Sequence, residues 1–81
     1  MASGLGETIA QLKANKKNHS FEELKRILEE YGFQMHPRQR GSHRVFNKRG
    51  CFICPSIPEK SPVLPCYVGK VIDALEECCD E

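Results

Sequence analysis

The stretch Ser-Phe-Glu-Glu-Leu-Lys-Arg-Ile-Leu-Glu-Glu-Tyr-Gly-Phe at residues 20–33 carries the clearest structural signal in the chain. Its apolar residues recur every three or four positions, so they fall on one face of a helix: Phe21, Leu24, Ile27, Leu28 and Tyr31. Ser20 and Glu23 have the spacing of a capping box, in which each side chain bonds the backbone N–H of the other residue. Gly32 stands where helices commonly end. We therefore predict an amphipathic helix over residues 21–31.

Two further helices are predicted nearer the ends of the chain. Residues 5–15 place three apolar side chains at helical spacing: Leu5, Ile9 and Leu12. Residues 66–77 do the same with four: Val68, Val71, Ile72 and Leu75. Pro65 suits the first turn of that last helix, because no intrahelical bond needs its missing N–H there.

Three short strands are predicted between the helices, from their apolar patterns: 33–38, 43–47 and 51–54. Pro37 places the first strand at a sheet edge or ends it. Residues 47–50 predict a hairpin turn, since Gly50 can adopt a positive φ. Four prolines in residues 55–65 indicate a rigid, irregular connection. The order helix, helix, three antiparallel strands, helix predicts a two-layer α+β domain with the helices on one face of the sheet.

Size and composition favour one small soluble domain. The 81 residues are 40% hydrophobic and 28% charged, which is typical of a globular chain rather than a disordered one. No apolar run approaches the roughly 20 residues of a membrane span, and the first residues lack the pattern of a secretory signal. We therefore expect a cytoplasmic protein with no membrane partner.

Five cysteines, an odd number, favour reduced thiols over a disulfide framework: Cys51, Cys54, Cys66, Cys78 and Cys79. Cys51 and Cys54 have the spacing of zinc ligands, which Cys66, Cys78 or His36 could complete. However, residues three apart on a strand point to opposite faces, and the chain has no second close pair of ligands. The alternative is that the cysteines act as small buried hydrophobic residues, and we expect no metal.

The net charge of +1 hides a segregation of charge along the chain. Residues 32–60 carry six bases against Glu59 alone, a net charge of +5. Residues 21–31 and 61–81 are net acidic, at −2 and −4. Because salt screens charges beyond about 10 Å, a local basic face can bind a polyanion even on a nearly neutral protein. The alternative is a solvated surface that is basic by chance.

Residues 38–46 read Arg-Gln-Arg-Gly-Ser-His-Arg-Val-Phe and combine three kinds of chemistry. Three permanently charged side chains suit phosphate binding: Arg38, Arg40 and Arg44. Gly41 and Ser42 make a turn whose backbone can come close to a ligand. His43 can give or take a proton near neutral pH, although a lone histidine is more often structural or merely exposed than catalytic.

With these elements in order, the sequence resembles the HicA-type toxins of bacterial toxin–antitoxin modules, from about residue 21 to 77. The resemblance rests on four successive features: the capped helix at 20–33, the Gly-Ser-His run within 38–46, the hairpin to a strand ending in Pro55, and Val-Leu-Pro-Cys-Tyr-Val-Gly-Lys-Val-Ile-Asp-Ala-Leu-Glu-Glu at 63–77. The Lys-Ala-Asn-Lys-Lys-Asn before the helix is similar to the longer members. Two features depart from the family: the chain is less basic overall, and its third strand carries two cysteines.

The resemblance implies a fold like that of a double-stranded RNA-binding domain, with an α-β-β-β-α core. Residues 20–78 would form the HicA-like domain, residues 1–19 an N-terminal extension with a short helix, and residues 79–81 a tail. The resemblance also implies cleavage of messenger RNA, with His43 of the Gly-Ser-His run as the catalytic residue. A HicB-type antitoxin would bind and silence the protein.

The hypothesis is a metal-independent endoribonuclease (an mRNA interferase) without a cofactor. RNA brings its own nucleophile, the 2′-hydroxyl, so His43 would act as general base or acid and would be the single catalytic histidine. Cations would hold the phosphate: Arg40 and Arg44, with Arg38 and Lys60 further out. Backbone N–H groups of Gly41 and Ser42 could also contact it. His36 and Tyr67 are candidates for a second proton-transfer group, and no acidic cluster lies near the loop for a two-metal mechanism.

Two other functions fit the same residues. One is a non-catalytic RNA-binding module of the same fold, which would read structured RNA by shape and phosphate contacts. The other is a protein-interaction domain whose basic face binds an acidic partner. A cleavage assay separates the nuclease from the binding module, and salt-sensitive RNA binding would count against the interaction domain.

Overall fold

The structure, a computed structural model, describes residues 4–37 and 41–79. These residues form three helices and three strands: α1 (Leu5–Ala14), α2 (Phe21–Glu30), β1 (Gln34–Met35), β2 (His43–Asn47), β3 (Ser56–Pro58) and α3 (Pro65–Cys78). The strands make one antiparallel sheet in the order β1-β2-β3. The predicted α+β class and the predicted order of elements are therefore confirmed.

The central strand β2 fixes which residues of the sheet are neighbours. Gln34 lies opposite Asn47, and His36 extends this pairing by donating its backbone N–H to the Val45 carbonyl at 2.8 Å. On the other side of β2, His43 lies opposite Pro58. The start of β2 therefore lies beside the end of β3.

The prediction of a third strand at residues 51–54 is wrong, because β3 lies at Ser56–Pro58, inside the proline-rich connection. The pairing with β2 starts where the Phe46 N–H donates to the Pro55 carbonyl at 2.9 Å. Gly50 has the positive φ expected of a turn, 84°. Since no pairing with β2 involves residues 51–54, the connection from β2 to β3 is a loop of residues 48–55 rather than a tight hairpin.

The first strand is also shorter than predicted. Residues 33–38 were expected to be extended, and β1 comprises only Gln34 and Met35. Pro37 limits the strand as expected, since proline cannot donate a ladder hydrogen bond. Arg38 lies outside the described residues.

α2 ends at Glu30, one residue earlier than predicted. Of the predicted capping box, the contacts of the described residues include the bond to the Ser20 hydroxyl but not the return bond from the Ser20 N–H to Glu23. The Ser20 hydroxyl accepts the Glu23 N–H at 3.1 Å, while the Glu23 carboxylate contacts the His19 ring at 2.9 Å. At the other end, Gly32 has φ of 98°, and the Phe33 N–H donates to the Leu28 carbonyl at 2.9 Å. This bonding is a Schellman motif, which satisfies carbonyls that the helix leaves free.

Removing the N-terminal cap is expected to destabilise the protein moderately. Ser20→Ala leaves the Glu23 N–H without its acceptor, which should cost about 1 kcal/mol of the free energy of unfolding. Urea denaturation followed by circular dichroism measures this change. Ser20→Asp keeps an acceptor at the same position and should recover most of the loss; equal losses in both variants would contradict the capping role.

The core lies between the helices and the face of the sheet that carries Phe46 and Ile57, both fully buried. α2 packs on β1, and α3 packs on β3 and on α1. Leu5 and Leu12 of α1 belong to the same buried cluster. Polar contacts also join α1 to its neighbours, including an ion pair from Lys13 to Glu76 of α3. The N-terminal helix is thus packed into the single core.

The expectation of reduced thiols is wrong for one pair, because the structure joins Cys51 to Cys78 in a disulfide. α3 ends at Cys78, one residue past its predicted end, and the Cα atoms of Cys51 and Cys78 are 5.5 Å apart, a separation that a disulfide spans. Cys54 and Cys66 are exposed free thiols, so burial as a small apolar side chain describes Cys79 alone among the free cysteines.

The described residues were searched for membrane-spanning helices and for groups of metal-binding side chains. None of the helices in residues 4–37 and 41–79 is long and apolar enough to cross a membrane. Over the same residues, no group of three or more His, Cys, Asp or Glu side chains could hold a metal ion. Cys51, one of the two cysteines considered as zinc ligands, is instead bonded to Cys78.

Candidate active site

The Gly-Ser-His turn is joined to the end of β3. Gly41 has φ of 66° and is exposed, as are Ser42 and His43. The Ser42 carbonyl accepts the Glu59 N–H at 2.6 Å, one residue beyond the pairing of His43 with Pro58. The backbone of this turn is therefore fixed while its side chains face solvent. Two of the predicted phosphate ligands, Arg38 and Arg40, lie outside the described residues.

The ring of His43 has neighbours on two different elements. Its Nδ1 lies 3.5 Å from the Ser56 hydroxyl of β3. Its centroid is 5.8 Å from that of Tyr67 in α3, and the rings meet edge to face at 76°. These contacts orient the imidazole, and no side chain or backbone group of the described residues hydrogen-bonds its Nε2. Nε2 is therefore the nitrogen available for exchanging a proton with a substrate.

A second histidine lies on the same face of the sheet. His36 lies opposite Val45, and Val45 is two residues from His43, so alternation puts all three side chains on one face. Diagonal neighbours of this kind are typically about 7–8 Å apart. His36 is exposed. The sheet thus brings together the two histidines that an acid–base pair needs.

Arg44 holds the turn in place. Its Nη1 donates to the Gly41 carbonyl at 2.7 Å and to the His43 carbonyl at 3.2 Å. Its Nη2 pairs with the Glu59 carboxylate at 2.9 Å. Because a guanidinium has five N–H donors, these bonds leave donors for a phosphate, but part of the charge of Arg44 is already neutralised. Phosphate binding by Arg44 stays a prediction.

Lys60, Lys70 and the hydroxyl of Ser56 also lie near the residues that surround His43. Lys60 is exposed two residues beyond Pro58, the partner of His43, and its N–H donates to the Pro58 carbonyl at 2.8 Å. Lys70 has its Nζ 5.7 Å from the centroid of the Tyr67 ring. Sequence reasoning missed Lys70 and Ser56. Tyr67 and Lys70 are three residues apart in a predicted helix, so the sequence could have indicated that they are neighbours. Ser56 lies in a segment that was predicted to be irregular.

Among residues 4–37 and 41–79, His43 is exposed and lines none of the four main depressions. A depression of about 580 Å³ lies along α2 and is lined by polar side chains between Ser20 and Glu29, and it does not include His43. Small-molecule sites are usually concave and largely apolar. An exposed imidazole on a sheet surface instead suits a macromolecular substrate that lies across the protein.

The chain was compared with known proteins in three ways. It matches no protein-family model, and neither a curated protein nor a solved structure is significantly similar to it.

Proposed function

We propose that this protein is a metal-independent endoribonuclease, the toxin of a type II toxin–antitoxin pair of the HicA kind. One observation carries the proposal: His43 stands exposed at the start of β2, oriented by Ser56 and Tyr67, on the sheet face that also carries His36. Two imidazoles can supply the general base and the general acid of metal-independent RNA cleavage. The toxin role rests on the sequence resemblance alone.

The architecture supports the RNA part of the proposal. The order α2, β1, β2, β3, α3 has the α-β-β-β-α sequence of a double-stranded RNA-binding domain, with α1 as an addition at the N-terminus. Residues 41–60 carry four lysine and arginine side chains, with Glu59 as their single acid. Proteins of this charge and shape bind RNA chiefly through phosphates and 2′-hydroxyls.

The mechanism uses the 2′-hydroxyl of RNA as the nucleophile. One imidazole removes the 2′ proton as O2′ attacks phosphorus, and the other gives a proton to the departing 5′-oxygen. His43 takes one of these roles and His36 the other. Lys60 and the spare donors of Arg44 stabilise the charge that develops on the phosphate, with Arg38, Arg40 and the N–H groups of Gly41 and Ser42 as further candidates. The products are a 2′,3′-cyclic phosphate and a 5′-hydroxyl.

The test is incubation of the purified protein with mixed-sequence RNA in excess chelator. We expect cleavage, with cyclic-phosphate ends on the upstream fragments and 5′-hydroxyl ends on the downstream fragments. Cleavage that leaves 5′-phosphates would contradict the use of the 2′-hydroxyl, and RNA that stays intact at high protein concentration would contradict the nuclease proposal.

A second candidate function is an RNA-binding module without catalysis, which the net charge of +5 on residues 32–60 also supports. Salt-dependent retention of uncleaved RNA would favour it. A protein-interaction domain would instead leave RNA unbound and bind an acidic partner. For the nuclease, the proposed protein partner is a HicB-type antitoxin and the proposed compartment is the cytoplasm.

A further inference from the structure

Phe52 is fully exposed, at 100% of its possible surface, at the middle of the loop of residues 48–55. Its neighbours Cys51 and Ile53 are both partly buried and pack against the core. The residues on each side of Phe52 thus face the core, while the aromatic ring of Phe52 itself faces solvent. Burying such a ring is one of the stronger contributions to binding energy, so Phe52 is a candidate contact residue.

The loop that carries Phe52 is tied to α3 at two points. Cys51 is bonded through its disulfide to Cys78, the last residue of the helix. Lys48 donates from Nζ to the Cys78 carbonyl at 2.9 Å, where a cation is favoured by the helix dipole. A ring on a tethered loop loses less conformational entropy on binding than one on a free loop. The disulfide and the Lys48 hydrogen bond therefore restrict the conformation of the loop that carries Phe52.

The charges around Phe52 indicate an anionic ligand with an aromatic group. Residues 41–58 contain no acidic side chain, and Arg49 is exposed three residues before Phe52. A nucleotide combines the two features, since its base can stack on the ring and its phosphate can pair with Arg49. An acidic peptide would use the charge but would leave the exposed ring without an equivalent partner.

The position of the loop relates Phe52 to the candidate active site. β2 leads from His43 to Asn47, four steps of about 3.3 Å, so the loop starts just beyond a Cα atom that lies roughly 13 Å along the strand from that of His43. A few nucleotides of an RNA strand are long enough to span a distance of this order. One RNA strand could thus contact both positions, with the cleaved phosphate at one end of β2 and a bound base at the other.

We propose that Phe52 stacks on an unpaired base of the RNA substrate, a few nucleotides from the cleaved phosphate, with Arg49 on the adjacent phosphate. The inference rests on the proposed function in taking RNA as the ligand. It adds the substrate class: a base inside a duplex already stacks on both faces, so Phe52 selects RNA that is single-stranded at this point.

The experiment measures binding to short 2′-O-methyl RNA, which lacks the nucleophile and cannot be cleaved. Wild type is compared with Phe52→Ala on a single strand and on the corresponding duplex, by fluorescence anisotropy. The alanine variant should bind the single strand about 5- to 150-fold more weakly, the effect of losing one stacked base. Its duplex affinity should stay unchanged, and Phe52→Trp should retain single-strand binding.

Leu64→Ala is the matched control, because Leu64 is the other large hydrophobic residue that the described chain exposes, at 60%. It should leave both affinities unchanged. Equal single-strand affinity of wild type and Phe52→Ala, with clear binding by both, would overturn the stacking role and leave the nuclease proposal intact. Equal weakening on single strand and duplex would overturn the selection of unpaired RNA. A wild type that neither binds nor cleaves RNA would overturn both proposals.

Discussion

His43→Ala is expected to lower the rate of RNA cleavage by about 10²–10⁴-fold, the usual contribution of a positioned general acid or base. The variant removes the one imidazole whose orientation by Ser56 and Tyr67 is set by the fold. His43 is exposed and contributes nothing to the buried cluster, so the variant should unfold at the same urea concentration as wild type. Single-turnover cleavage with excess protein measures the chemical step separately from binding.

The matched control is His19→Gln, because His19 lies in the linker before α2 and contacts Glu23 rather than the candidate site. It should leave the cleavage rate unchanged. His36→Ala should cause a loss of similar order to His43→Ala if the two histidines share the proton transfers. Equal cleavage by wild type and His43→Ala would mean that another residue, or a contaminating nuclease, performs the reaction.

Elements that are determined by neighbouring residues could be predicted from the sequence, whereas elements that depend on distant contacts could not. α2 was predicted to within one residue because its signals are local: the Ser20 cap, the apolar face and Gly32 all lie within the helix or beside it. β2 was predicted with its bounds. β3 was not, because the apolar run at residues 51–54 has strand character, while the pairing with β2 is decided by contacts across the sheet.

The disulfide could not be predicted for the same reason. Counting five cysteines suggested reduced thiols, but the pairing depends on where the fold places them. Cys51 and Cys78 are 27 residues apart and meet only because α3 packs along the sheet and ends beside the loop. The one close pair in the sequence that invited a metal site, Cys51 and Cys54, is not the pair that interacts.

The sequence located the candidate site but not its internal contacts. His43, Tyr67 and His36 were all candidates for proton transfer, and the sheet and α3 bring His43 close to Tyr67. The role of Arg44 was seen incompletely, because its partner Glu59 is fifteen residues away and joins it only through the pairing of β2 with β3. In the sequence Glu59 is one acid among six bases, whereas in the structure its carboxylate pairs with Arg44 and neutralises part of the charge of that side chain.

Removing the disulfide is expected to lower the free energy of unfolding by about 3.5 kcal/mol, the loop-closure value for a separation of 27 residues. For a domain of this size the loss is a large part of a total stability of about 5–15 kcal/mol. The reason is that the bond restricts the unfolded chain between β2 and the end of α3. Urea denaturation of the oxidised wild type and of Cys51→Ser/Cys78→Ser measures the difference.

The matched control is Cys54→Ser/Cys66→Ser, which removes two exposed free thiols and should leave stability unchanged. Mass spectrometry after alkylation first establishes that the wild type carries the bond. Identical denaturation midpoints for this oxidised protein and for Cys51→Ser/Cys78→Ser would contradict the prediction. Because the same bond tethers the loop of Phe52, the variant should also bind single-stranded RNA more weakly at temperatures where it is still folded. Unchanged RNA affinity in this variant would show that the disulfide is not needed to position the loop.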